Sequence, residues 1–237
     1  MARVRGKLER CFTRLPTPTQ TCIDVVRLTA WLALAAVALQ TIVHLTNGIV
    51  LDDPYDALNA DQEGVVFTWL STSATVASSI ALLLLSTTGA YRAWHVLLLS
   101  AVIAYLSLDD SIAIHERLSR QVFVERVGLP VDIGARLLIA FLWPLFLVAV
   151  VLLLSIAGRS ARPASRAIVA GLGCLGLALF LELASGVLSN RGIIVFEAWS
   201  DVVESGVEEG LELGGWILIS GGLFAEAAQR IAQREPG

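Results

Sequence analysis

Nine residues of this chain could hold a cation or move a proton, seven carboxylates and two imidazoles. They are Asp109, Asp110, His115, Glu116, Glu182, Glu208, Glu209, Glu212 and His44. Carboxylate oxygens and imidazole nitrogens suit a divalent ion such as Fe, Mn or Zn better than copper(I), which prefers sulfur. Soluble di-iron bundles use two Glu-x-x-His motifs with two further glutamates. Here the glutamates are present but no Glu-x-x-His occurs, and the adjacent His115 and Glu116 cannot share one face of a regular helix. The expectation is a divalent metal site. Two alternatives stay open: a metal-free cluster that titrates or conducts cations, and carboxylates that are merely solvated at wet helix ends or paired with arginines.

Several other chemistries are excluded. His115-Glu-Arg-Leu-Ser119 is not the H-E-x-x-H of a helix-borne zincin site, and no G-x-S-x-G elbow occurs. Intramembrane hydrolases related to alkaline ceramidases gather three histidines on zinc. In this chain His95 and His115 lie about 30 Å apart by helix rise. Lys7 is the only lysine, so no buried lysine is available for a Schiff base, which rules out a retinal protein. His44 and His115 as a haem pair would need an apolar wall where the chain supplies carboxylates. His44 alone on an apolar helix has its own bland reading, a hydrogen bond to a neighbouring helix.

Stepping from these residues to what must hold them, the chain is 56% hydrophobic and 16% charged. Soluble domains run nearer about 45–50% and about 25%, so the carrier is a membrane protein. A span needs about 20 apolar residues, and six windows qualify: 28–51, 65–87, 93–114, 137–157, 167–188 and roughly 207–228. The fold expected is an all-α polytopic bundle of about six transmembrane helices (28–228), between a basic segment (1–27) and a short tail (229–237). Pro144 should kink the fourth helix. Twelve of the 17 basic residues, including Arg3, Arg5, Lys7, Arg159 and Arg230, then share one side. The positive-inside rule makes that side cytoplasmic, with both termini there. The first and last three runs share no pattern, which counts against an inverted-repeat transporter. Segments 117–127 and 193–203 are expected as short interfacial helices or as extensions of helices three and six.

The carboxylates are distributed oppositely to the arginines. Only Glu9, Asp24, Glu226 and Glu235 of the 21 fall on the basic side. Asp109 lies 16 residues into run three and His44 16 residues into run one, each about 24 Å up. Glu182 lies about 23 Å up run five, and Glu208, Glu209 and Glu212 occupy the first turns of run six. In a core about 30 Å thick these groups form one layer just below the outer boundary. A charge at the bilayer centre costs roughly 2.5–3.5 kcal/mol on insertion scales, so they should face one another across a polar cavity. At 100° per residue, Glu204, Glu208 and Glu212 line one face of helix six, while Gly206, Gly210 and Gly214 line a roughly opposite face suited to close packing. Tyr105 and Glu116 share the face of Asp109. The Ser/Thr-rich stretch 68–73 either lines the cavity or bonds helix to helix.

The run Leu106-Ser-Leu-Asp-Asp-Ser-Ile-Ala-Ile-His-Glu-Arg-Leu118 resembles a motif in a family of uncharacterised bacterial multi-pass membrane proteins. Phe67-Thr-Trp-Leu-Ser71 and Glu208-Glu209-x-x-Glu212 look similar to other parts of that family, so the resemblance spans about residues 58–118 and 204–216. The family more often has Glu where this chain has Asp110. The resemblance carries no activity; it implies that the acidic layer is the site. Arginine far in excess of lysine fits a bacterial source, and the location expected is the inner (plasma) membrane. Lipid is the expected surrounding, a lipid or periplasmic molecule the expected substrate class, and nucleic acid is not expected as a partner. Three classes remain open: metal-dependent membrane enzyme, cation or proton transporter, and structural or assembly protein.

Overall fold

In a computed structural model the described residues are 17–51, 55–59, 65–112, 114, 117, 119–128, 131–190 and 198–234. They form six α-helices and no strand among the described residues: α1 (Pro18–Leu45), α2 (Val66–Thr87), α3 (Ala93–Ile112), α4 (Val131–Ala157), α5 (Arg162–Asn190) and α6 (Ala198–Ala232). Four spans are long and apolar enough to cross a membrane: Thr19–Val50, Val66–Thr87, Arg162–Ser185 and Val202–Ala232. The apolar stretches Ala93–Asp109 and Leu142–Ala157 are shorter. Each of the six windows expected from hydropathy therefore contains a helix.

The differences lie at the ends, where hydropathy is silent and capping decides. α1 starts ten residues before its apolar run, because Thr17 accepts from the Gln20 amide through its hydroxyl (3.3 Å) and Pro18 sits in the first turn. Both are strong start signals. At its other end α1 loosens into a π-helical turn, Thr46–Val50. From there Asn47 donates to the Tyr55 carbonyl (3.1 Å) and ties down the chain that follows. Residues 198–203 are the first turns of α6, so here the extension reading holds. Ser119–Arg126 is a π-helical segment that packs on α4, and the residues that would join it to α3 lie outside the described ones.

α6 is the centre of the bundle and packs on α1, α2 and α5; α3 lies against α2, and α4 touches α3 and α5. Its 35 residues amount to about 52 Å of helix. Glycine lets the neighbours approach. A Cβ at Gly171 of α5 would stand 2.5 Å from the Gly215 carbonyl of α6, and one at Gly215 would stand 2.9 Å from the Gly171 carbonyl. On the other face, Gly206, Gly210 and Gly214 meet His44 and Val37 of α1, so the glycine stripe read from helical angles is a packing face. Serines supplement it. Ser79 of α2 and Ser100 of α3 each donate to the other's carbonyl at 3.0 Å.

The bundle has two unlike halves. The apolar core is built from Leu82 and Leu85 of α2, Leu99 of α3, Ile156 of α4, Ile168 of α5 and Leu223 of α6. All of these lie toward the end that carries Arg92, Arg159 and Arg230. Buried Gln40, His44, Asn47, Ser71, Ser107 and Asp109 lie toward the opposite, acidic end. Large apolar side chains face outward along the helices, among them Leu39, Ile42, Ile80, Val151 and Phe180. Exposed Trp69 and Trp199 mark the acidic end and exposed Trp94 the basic end, as in the aromatic belts of bilayer proteins.

Candidate functional site

At the acidic half, α2 to α6 surround a cavity of about 330 Å³. α3 contributes Tyr105 and Asp109, and α6 contributes Glu212 and Trp216. α2 adds Ser71 and Thr75, and α4 adds Trp143 and Phe146. Asp109 and Tyr105 are four apart and Glu212 and Trp216 are four apart, so each helix presents one carboxylate above one aromatic ring along a single face. Asp109 is 9% exposed and therefore largely removed from water. The Thr75 hydroxyl donates back to the Thr72 carbonyl at 2.8 Å, which leaves its oxygen as an acceptor toward the cavity. Ser107, one turn from the cavity wall, donates to the Thr72 carbonyl (3.1 Å) and fixes α3 against α2. Pro144 falls within the α4 wall; lacking an N–H, it interrupts that helix's ladder there.

The other expected residues are placed as follows. Glu208 and Glu209 are half-buried on α6 and do not line this cavity. Glu182 is exposed on α5. His44 is buried, 2% exposed, and its Nε2 lies 2.9 Å from the Val202 carbonyl and 3.1 Å from Ser205 Oγ on α6. A carbonyl only accepts, so Nε2 carries the proton in that contact. His44 thus bonds helix to helix, the bland reading weighed for it, and sits against Gly206 where no Cβ intervenes. The side chain of Asp110, and His115 and Glu116 altogether, lie outside the described residues. Among the described residues no three His, Cys, Asp or Glu converge as a metal site. Among the described residues, Asp109 and Glu212 both line the cavity.

A second buried polar group escapes a reading that asks only about the acidic layer. Glu226 of α6 is 1% exposed near the basic end. It accepts from the Tyr91 hydroxyl (2.9 Å), the Ala161 amide (3.2 Å) and Arg230 Nε (2.7 Å). Arg230 also donates to the Arg159 carbonyl (2.9 Å), and Arg234 to the Thr87 carbonyl (2.6 Å). The turns after α2 and α4 are thereby fastened to the end of α6. Burial first, and then the charge of Glu226, push the Tyr91 phenol above its usual value. The sequence signal was available: an acid four residues before an arginine, near the end of the last apolar run. Gln40 and Asn47, buried on the same face of α1 as His44, gave no such signal.

A family model described as a domain of unknown function (DUF8692) matches residues 25–226, from the second turn of α1 to the Glu226 hub. No curated protein and no solved structure matches the chain.

Proposed function

The chain belongs to this family of unknown function, and on that footing we propose that it is a bacterial multi-pass membrane protein that binds a cation in the cavity at its acidic end. The observation that carries this reading is that Asp109 and Glu212, from different helices, line one cavity of about 330 Å³. Carboxylates from two helices that face one partly apolar cavity draw a cation into it, whether a metal ion or a proton. Orientation by the positive-inside rule puts the cavity toward the outer face of the inner membrane.

A divalent ion, Fe, Mn or Zn, is the first candidate. Asp109 and Glu212 supply two oxygen donors, and Asp110, His115 and Glu116 follow within seven residues of Asp109. Such an ion with an open coordination position would polarise a bound substrate, and the apolar α4 wall suits a lipid. An organic ammonium is the second candidate. It is favoured by Trp143, Trp216, Tyr105 and Phe146 around the acids, because aromatic faces attract cations in dry sites. Transport finds less support, since the apolar core fills the half of the bundle beneath the cavity.

The test is the metal content of detergent-purified protein prepared without chelators, beside Asp109→Asn and Glu212→Gln. About one or two equivalents in the wild type, reduced by more than half in either variant, is the expected result. If the metal is absent but tetramethylammonium raises the wild-type melting temperature and not that of the variants, the organic cation is the ligand. No metal and no ammonium effect would sink the proposal.

A further inference from the structure

A different pocket lies at the basic end, in the cleft between the first turns of α3 and the last turns of α4. It measures about 360 Å³, and its lining divides by polarity. Arg92, His95 and Arg159 stand together at the basic end of the cleft, and Val96, Val151 and Leu152 line its apolar side. Arg92 and Arg159 are both exposed. No carboxylate lies among the described lining residues. The nearby acid, Glu226, is already taken up by Tyr91, the Ala161 amide and Arg230. The cleft therefore holds positive charge that its own walls do not neutralise. Val151 is 63% exposed and Trp94, beside His95, is 60% exposed, so the apolar side continues onto the outward face that meets lipid tails.

We propose that this cleft is a binding site for an anionic phospholipid. Its phosphate would be held by Arg92 and Arg159, with His95 beside them, and an acyl chain would lie along Val96, Val151 and Leu152. Two guanidiniums give fork-shaped donors that match phosphate oxygens. Basic pockets between helices at the charged leaflet edge are the usual way that a bundle selects acidic head groups. An inorganic phosphate would use the same arginines but leave the apolar side unfilled, which is why the lipid is favoured. The site stands apart from the acidic cavity and does not depend on what that cavity binds.

The experiment measures the melting temperature of the full detergent-solubilised chain with added phosphatidylglycerol, phosphatidylcholine or inorganic phosphate. Phosphatidylglycerol is expected to raise the midpoint by about 2–4 °C, with phosphatidylcholine and phosphate giving little. Arg92→Gln with Arg159→Gln should lose most of that increment. Arg162→Gln with Arg166→Gln, which removes equal charge outside the cleft, should keep it. Equal effects of the two lipids, or an unchanged increment in the Arg92/Arg159 double variant, would overturn the proposal. Inorganic phosphate matching phosphatidylglycerol would make it a solute site and overturn the lipid assignment. Should the double variant not fold, Val151→Trp fills the apolar side and leaves both arginines. Native mass spectrometry should then show fewer retained phosphatidylglycerol molecules than the wild type, and an equal number would refute the site.

Discussion

Single residues in this chain act through where they are buried more than through their type. Asp109 and Glu226 are both carboxylates on apolar helices, yet one borders a cavity and the other closes a hydrogen-bonded hub. Glu226→Ala should lower stability by about 3–5 kcal/mol, because it strands the Tyr91, Ala161 and Arg230 donors together. Asp24→Ala, whose partner is the exposed Gln20 amide at 2.8 Å, should change it by less than about 0.5 kcal/mol. Thermal denaturation in one detergent compares the two, and equal effects would mean that the hub holds nothing together. Of the residues singled out from sequence, depth counting placed Asp109 and Glu212 in a common layer, and they do share a cavity. The same counting put Glu182 at that depth, but depth says nothing of rotation about the helix axis, and its side chain is exposed. Glu226 was legible as a basic-side carboxylate four residues before Arg230, but sequence does not reveal that the turn at Ala161 comes back to meet it.

At the scale of helices, the informative contrast is between glycines that touch and glycines that do not. Gly171 faces the Gly215 carbonyl backbone to backbone, while Gly173, two residues on, has open space where a Cβ would go. Gly171→Ala should therefore destabilise by about 1–3 kcal/mol through overpacking. Gly173→Ala should be neutral or stabilise by about 0.5–1 kcal/mol through helix propensity. Denaturation midpoints of the two variants check this, and a shift of the same sign would argue against the close α5–α6 crossing. Hydropathy found all six helices, and angular counting found that Gly206, Gly210 and Gly214 form a packing stripe. Neither could find the π-helical turn at Thr46–Val50 or the early start at Pro18. Those are set by hydrogen bonds of Asn47 and Thr17 to particular backbone atoms, which leave no periodicity behind.

For the molecule as a whole, charge and packing run in opposite senses along the bundle axis. Most of the basic residues and the apolar core occupy one end, and most of the acids and the cavity occupy the other. The positive-inside rule applied to the 12 basic residues of the first end predicts that both termini are cytoplasmic. Reporter domains fused at each terminus should be active only in the cytoplasm, and activity of either one outside would reverse the orientation argued for the cavity. The length of α6 has a consequence of its own. About 30 Å of hydrocarbon is crossed in about 20 residues of upright helix. The surplus of about 20 Å is more than tilt within its usual range of about 0–40° can absorb. Some turns at the ends of α6 therefore stand beyond the hydrocarbon as a post. A thinner bilayer exposes more of these turns and a thicker one fewer. The central helix thus outreaches the layer it crosses and sets how far the bundle projects from it.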